Sequence, residues 1–156
     1  MRRWTVATVF GDLAELVSAV GADLGPTDWL EVDQKRIDQF AQATDDHQWI
    51  HVDPERAVDG PYGGTIAHGL LTLSLLPHFM HLLYRVDNVA MAINYGFNKV
   101  RFITPVPVGS RLRASSKLTA VTELAGGAQA TLTTTIEVEG SDKPAAVVES
   151  IVRYVA

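Results

Sequence analysis

An acid and an imidazole, Asp46 and His51, lie five residues apart in one short stretch of the sequence. The stretch joins a helix-like run to a second short helix, so one loop would hold both groups. Proton transfer at an alkene or next to a carbonyl requires such a positioned acid and base. The alternative is structural: Asp46 caps a helix and His51 is a packed surface histidine, because aspartate caps helices readily.

The residues around this pair follow a known pattern. Residues 45–53 read Asp-Asp-His-Gln-Trp-Ile-His-Val-Asp. They resemble the signature of the MaoC-like (R)-specific enoyl-CoA hydratases, Gly-Asp-x-Asn-Pro-Ile-His-x-Asp. The matching positions are Asp46, Ile50, His51 and Asp53. The positions that replace Gly, Asn and Pro of the pattern are Asp45, Gln48 and Trp49. The Gln-Trp variant resembles the nodulation-protein-N-like branch of that family.

The resemblance implies a fold and a reaction. The fold is the α+β hot-dog fold, in which a curled antiparallel sheet wraps around a long central helix. The reaction is hydration of a trans-2-enoyl-CoA to the (R)-3-hydroxyacyl-CoA, or the reverse dehydration. In this family the residues at positions 46 and 51 act on one water, without a metal or an organic cofactor. Which of the two removes the proton from water stays open. A homodimer joined edge to edge through its sheets is also implied.

The thioester oxygen gains negative charge during hydration and needs a hydrogen-bond donor. The resemblance assigns this role to the backbone amide of Gly69, near the start of the predicted central helix. A glycine there also permits close packing of helix on sheet, which is the structural alternative. Gln48 takes the place of the family's Asn, where it would hold the water or support His51; a plain surface role is equally open. His68 is interpreted as structural.

Two cations follow the central helix in a strand-like region, Lys99 and Arg101. In the family this region borders the acyl tunnel, and these side chains would suit the phosphates of coenzyme A. The alternative is an ordinary solvated strand face. Asp53 is expected to cap the next helix, with Pro54 at its first position.

Composition limits the classes of function. The chain has 156 residues, 47% of them hydrophobic, and a net charge of −5 with no basic cluster, so nucleic acid is not expected as a partner. The chain contains no cysteine, which excludes disulfides and cysteine-ligated zinc. His78 and His81 alone are a poor zinc site. We expect one cytoplasmic domain over residues 1–156, in which residues 1–27 form a helical extension.

Hydrophobic periodicity predicts the elements. Helices are expected over residues 11–22, 34–43 and 65–83, and Pro77 should kink the last of these helices or end its regular part. The helix over 65–83 is apolar nearly all round, but its histidines and Pro77 argue against a membrane span. Strands are expected over residues 29–32, 89–106 (with a bulge at Gly96), 111–122, 128–138 and 145–155. This order indicates the α+β class.

Three other functions compete with enoyl-CoA hydration. A dehydratase for an acyl-carrier or polyketide intermediate would share the chemistry and differ only in the surface that meets the carrier. A thioesterase of the same fold would direct water to the thioester carbonyl carbon. A non-catalytic acyl-CoA-binding module would need no acid/base pair. The second carboxylate, Asp45, gives this alternative some support, because two neighbouring carboxylates could raise the pKa of one of them.

Overall fold

The computed structural model describes residues 8–156. The first elements in this range are β1 (Thr8–Phe10), α1 (Leu13–Ser18), β2 (Asp23–Leu24) and β3 (Leu30–Val32). The helical part follows as α2 (Gln34–Thr44), α3 (Trp49–Val52), α4 (Pro54–Val58), α5 (Gly69–Ser74) and α6 (Leu76–Leu83). The last elements are β4 (Tyr84–Val86), β5 (Met91–Phe102), β6 (Ser110–Leu124), β7 (Gly127–Val138) and β8 (Ala146–Val155).

A six-stranded antiparallel sheet forms one layer of the fold. Its strand order is β2-β6-β7-β8-β5, and β3 also pairs with β6. Buried and half-buried residues alternate along β7 and β8, as expected for a sheet with one face in the core. The core joins α5 and α6 to this face, and its fully or nearly fully buried members include Leu71, Phe79, Leu83, Leu132, Ile136 and Val148. The predicted α+β class is confirmed.

The central helix differs from the prediction in two ways. It begins at Gly69 and not at residue 65, because Ile66 forms a β-bridge with Pro107 and the amide of Ala67 donates to the carbonyl of Val106. It is also divided at Leu75 into α5 and α6. The interruption predicted at Pro77 is present but lies two residues earlier: Pro77 itself is in the first turn of α6, where a missing N–H costs no hydrogen bond.

The N-terminal helix is shorter than the predicted range of 11–22. It is α1, which begins after Asp12, and the Asp12 side chain accepts a hydrogen bond from the amide of Glu15. Phe10, Leu16 and Leu24 all belong to the main core. The part of the predicted extension before residue 8 lies outside the described residues. Within residues 8–156, no helix combines the length and hydropathy needed to cross a membrane.

Caps and turns predicted from sequence set the ends of several elements. Asp33 caps α2 by accepting from the amide of Arg36, and Asp53 caps α4 in the same way. The expected bulge lies at Gly96, where the pairing of β5 with β8 shifts. Gly126 turns the β6–β7 hairpin with a φ of 77°, a conformation that glycine adopts without steric cost. These local features fix where the connecting loops leave the sheet.

Candidate active site

His51 is a buried histidine with a defined tautomer. Its ring nitrogen Nδ1 lies 2.8 Å from the carbonyl oxygen of Ile66. A carbonyl only accepts, so Nδ1 carries the hydrogen and donates, which leaves a lone pair on Nε2 of the neutral ring. The amide of Ile66 donates in turn to the carbonyl of Ile50. Two hydrogen bonds therefore join α3 to the extended segment before α5.

The environment of His51 favours the neutral ring. Burial lowers the pKa of His51 below its ordinary value, and a positive charge on His68 would lower it as well. The bond to the Ile66 carbonyl and the charge of Asp46 act in the opposite direction without reversing the shift. A neutral imidazole with a free Nε2 is suited to accept a proton at neutral pH.

Asp46 lies on the loop between α2 and α3. The helix α2 ends at Thr44 and is capped by Asp45, which has the left-handed backbone conformation (φ 60°, ψ 20°). Glycine is the usual residue at this position of a helix end, which gives a physical reason for the Gly of the family pattern. Asp45 and Asp46 are both exposed. The Asp46 carboxylate accepts a long hydrogen bond, 3.4 Å, from the amide of Gln48.

The structure brings three titratable side chains together. A carboxylate oxygen of Asp46 and ring nitrogens of His51 and His68 all lie within 4.8 Å of one another. The rings of His51 and His68 stack, with centroids 3.9 Å apart and planes inclined by 23°. The pair predicted from sequence spacing is thus adjacent in space, and His68 joins it.

This cluster has a composition that metal ions accept, but its geometry is poor for one. The nitrogen lone pairs of two stacked rings lie in nearly parallel planes, so they do not converge on one ion at the about 2.0–2.1 Å of a zinc–imidazole bond. One nitrogen of each ring donates a hydrogen bond, Nδ1 of His51 to Ile66 and Nε2 of His68 to the Asp46 carbonyl, so the other nitrogen of each neutral ring is left as an acceptor. The arrangement fits proton transfer better than metal binding.

A cavity of about 330 Å³ opens next to His51. Its lining is mostly apolar and comes from the start of α5, the end of β5 and the segment after it: His51, Ile66, Ala67, Gly69, Thr72, Phe102, Ile103, Thr104, Pro105, Val106 and Ala145. Gly69 is the first residue of α5, so its amide has no acceptor within the helix. A Cβ at Gly69 would lie 3.1 Å from the Phe102 ring. The glycine thus permits close contact between α5 and β5 beside a free N–H.

The other candidate binding residues lie away from this cavity. Lys99 and Arg101 are exposed on β5. Side chains alternate along a strand, so both point to the face opposite Phe102, whose ring packs on Gly69. The side chain of Gln48 is exposed, and its contacts to the site come from the backbone: its N–H reaches the Asp46 carboxylate and its carbonyl accepts from the amide of His51.

Sequence reasoning missed a polar link that supports His51 from α2. The side-chain amide of Gln34 donates to the carbonyl of His51 at 2.8 Å, and its oxygen accepts from the buried hydroxyl of Thr65 at 2.6 Å. Gln34 thereby connects α2 with α3 and with the segment before α5. The available signal was weak: a glutamine just after a capping aspartate is usually only a surface residue.

Comparison with known proteins gives the family. The model of the MaoC like domain matches residues 15–143 of this sequence. The chain belongs to the MaoC-like family. The 3-hydroxyacyl-thioester dehydratase Z of Mycobacterium tuberculosis is 60% identical over 148 residues, which cover 94% of this chain and 98% of that protein. Nodulation protein N of Rhizobium leguminosarum is 46% identical over 138 residues, which cover 85% of this chain and 84% of that protein.

The solved structures agree with this assignment. An (R)-hydratase from A. caviae has a TM-score of 0.69 and 27% identity, covering 85% of this chain and 94% of that chain. The family resemblance and the hot-dog fold expected from the sequence are therefore confirmed. In this MaoC-like chain the signature residues Asp46 and His51 are adjacent, and His51 lines a cavity together with Gly69 at one end of the divided central helix.

Proposed function

We propose that this protein interconverts trans-2-enoyl thioesters and (R)-3-hydroxyacyl thioesters. The observation that carries the proposal is the placement of the Asp46 carboxylate within 4.8 Å of a His51 ring nitrogen, beside a cavity that Gly69 also lines. The name of the 60% identical relative, a 3-hydroxyacyl-thioester dehydratase, supports the substrate class. The (R) hand is supported by the (R)-hydratase from A. caviae.

The geometry favours one water between the two side chains. Nε2 of neutral His51 and the Asp46 carboxylate both accept hydrogen bonds, so a water between them donates both of its hydrogens. Its oxygen lone pair is then free to attack C3 of the enoyl thioester. His51 takes the proton as the C3–O bond forms, and Asp46 stabilises the imidazolium.

The second half of the reaction returns this proton. Attack at C3 moves electron density to the thioester oxygen, where the free amide of Gly69 would donate a hydrogen bond to the enolate. The imidazolium of His51 then protonates C2, which restores the neutral ring and completes the hydroxyacyl thioester. Water and proton are added from one face, because a single side chain and the water beside it supply both.

No metal or organic cofactor has a place in this mechanism. The stacking of His51 on His68 supports this part of the proposal, since lone pairs in nearly parallel planes are poorly directed at a single ion. We expect EDTA to leave the hydration rate unchanged. A reproducible loss of activity with EDTA that zinc restores would contradict the mechanism.

A homodimer is part of the proposal. The strand β5 pairs with β8 on one side and with no described strand on the other. It exposes an unusual number of large apolar side chains, Met91, Ile93, Tyr95 and Phe97. Open edges with apolar side chains tend to pair with another chain. Binding of coenzyme A phosphates by Lys99 and Arg101 stays a prediction, and these contacts would have to form on the outer face of β5. The cytoplasmic location also stays a prediction.

Crotonyl-CoA provides the test. We expect the absorbance of its conjugated enoyl thioester to fall as the purified protein adds water, and the product to be oxidised by an (R)-specific but not by an (S)-specific 3-hydroxyacyl-CoA dehydrogenase. Release of free thiol without hydration would indicate a thioesterase instead. Binding without turnover would indicate a non-catalytic module. A higher kcat/KM with crotonyl-acyl carrier protein than with crotonyl-CoA would indicate a carrier-linked dehydratase.

A further inference from the structure

His68 contacts both members of the proposed acid/base pair. Its ring stacks on the ring of His51 at a centroid distance of 3.9 Å. Its Nε2 lies 2.9 Å from the backbone carbonyl of Asp46, to which it donates. His68 is only 2% exposed and directly precedes Gly69. One buried side chain therefore links the three groups that the proposed reaction uses.

The bond from His68 anchors an otherwise exposed loop. Residues 45–48 are all exposed, and the bond from the Gln48 amide to the Asp46 carboxylate is long at 3.4 Å. The His68 bond to the Asp46 carbonyl is shorter and comes from a buried residue. It fixes the peptide that carries the Asp46 side chain relative to the start of α5. Small displacements of a catalytic group cost much of its effect, so such an anchor has catalytic value.

The stack fixes the remaining freedom of the His51 ring. The bond from Nδ1 to the Ile66 carbonyl holds one edge of the ring, while the stacked face of His68 prevents the ring plane from turning. The ring of Phe40 packs against His68 in turn, with centroids 4.9 Å apart. Together these contacts set the direction in which Nε2 of His51 points.

A purely structural role does not explain the polarity of His68. Because the Asp46 carbonyl requires a hydrogen on Nε2, the neutral ring leaves Nδ1 as an acceptor, and this atom is buried without a partner among the described residues. An unpaired buried polar atom lowers stability. An apolar residue would fill the same space without that cost, so the N–H at Nε2 is the feature that distinguishes histidine here.

We propose that His68 is a positioning residue, which holds Asp46 through its Nε2–H and the His51 ring through its stacked face so that both reach one water. This inference rests on the proposed hydration of enoyl thioesters. His68 itself touches no reacting atom in this account. It acts through its two neighbours.

Two amide variants separate the hydrogen bond from the rest of the side chain. In His68→Gln the amide nitrogen reaches the place of Nε2 and can still donate to the Asp46 carbonyl; in His68→Asn it is too short. Both variants lose the stack on His51, so the main difference between them is whether the side chain can still donate to the Asp46 carbonyl. We expect kcat for crotonyl-CoA in the Asn variant to be about 10-fold or more below that in the Gln variant, with KM changed little. Equal kcat values in the two variants would contradict the proposal.

A second readout does not depend on activity. The amide of His47 belongs to the peptide group whose carbonyl is that of Asp46, so its NMR resonance reports the hydrogen bond from His68. We expect a clear shift of this resonance in His68→Asn and a smaller one in His68→Gln. If the wild-type protein fails to hydrate crotonyl-CoA, the proposed function is wrong, and this comparison still decides whether His68 anchors Asp46. Equal shifts in both variants would overturn the anchor.

A double-mutant cycle tests whether His68 acts through Asp46. If it does, adding His68→Asn to Asp46→Asn should lower kcat much less than His68→Asn does alone. Losses that multiply would show that His68 acts independently, against the proposal. Ile136→Val, in the buried face of β7, is the control: it should lower the unfolding temperature and leave kcat within about twofold, because stability alone does not set the rate.

Discussion

At the scale of residues, the two proposed catalytic groups differ in their surroundings. Asp46 is exposed on a loop, whereas His51 is buried and donates from Nδ1 to a backbone carbonyl. Burial is the main cause of the lowered pKa of His51. This favours a neutral imidazole at neutral pH, which is the state of His51 that the proposed reaction needs. Asp45, in contrast, caps the C-terminal end of α2 and is exposed, with its backbone in the left-handed conformation.

The pH dependence of kcat/KM follows from this state. Below its pKa, His51 is an imidazolium that cannot take a proton from water, so activity should fall on the acidic side. Because the pKa of His51 is lowered, the midpoint of that fall should lie below its ordinary value of about 6.5. A pH profile with crotonyl-CoA measures it. His78→Gln is the control, since burial also lowers the pKa of His78; a midpoint that moves in this variant would contradict the assignment to His51.

The sequence predicted Asp46 and His51 because both lie on one short loop, where spacing nearly determines proximity. It did not predict the contacts of His68. This residue is seventeen positions after His51 in the sequence and contacts it only because the segment before α5 packs against α3. Lys99 and Arg101 illustrate the same limit. Their charge suits a phosphate, but strand alternation alone does not say which face of β5 adjoins the cavity until Phe102 is placed on Gly69.

At the scale of elements, the site depends on how α2 holds α3. Gln34 bridges the carbonyl of His51 and the buried hydroxyl of Thr65. Replacing it by leucine leaves both groups without this partner. We expect Gln34→Leu to lower the free energy of unfolding by about 1–3 kcal/mol and to lower kcat as well, because α3 carries His51.

The same substitution on the exposed side of α2 is the control. Gln39 is exposed, so Gln39→Leu should change the free energy of unfolding by no more than about 0.5 kcal/mol. Urea denaturation of both variants and the wild type gives the comparison. If Gln34→Leu is as mild as Gln39→Leu in stability and in kcat, the bridge has no role in holding α3.

The elements were predictable where local chemistry decides them. Capping aspartates, the bulge glycine and the hairpin glycines fixed helix starts and turns near their predicted places. The central helix was predicted four residues too long at its start, since apolar periodicity continues through residues 65–68. There, tertiary pairing of Ile66 and Ala67 with Val106 and Pro107 imposes an extended backbone, and no local signal in the helix reports such pairing.

At the scale of the whole molecule, the edge strand β5 pairs with β8 on one side and with no described strand on the other. Ile93 and Phe97 are 44% and 46% exposed on this strand. If two chains pair through β5, lysines at both positions should convert the dimer into a monomer by charge repulsion and lost apolar contact. Sedimentation or light scattering gives the mass in solution.

Val58 provides a matched control for this prediction. It is an apolar residue of α4 with 61% exposure, away from β5. Val58→Lys should leave the mass unchanged. A wild-type protein that is monomeric at micromolar concentrations, or a dimer that survives both lysines on β5, would contradict this interface.

The most direct test of the central claim removes each member of the pair with little other change. Asp46→Asn keeps the size of the side chain, and His51→Asn keeps a donor near Nδ1 for the Ile66 carbonyl while it removes Nε2. We expect each substitution to lower kcat for crotonyl-CoA hydration by about 10²–10⁴-fold. The kcat of the double variant should be only slightly below that of the less active single variant, because both groups act on one water. A single variant that folds and retains more than about a tenth of the wild-type kcat would contradict the account.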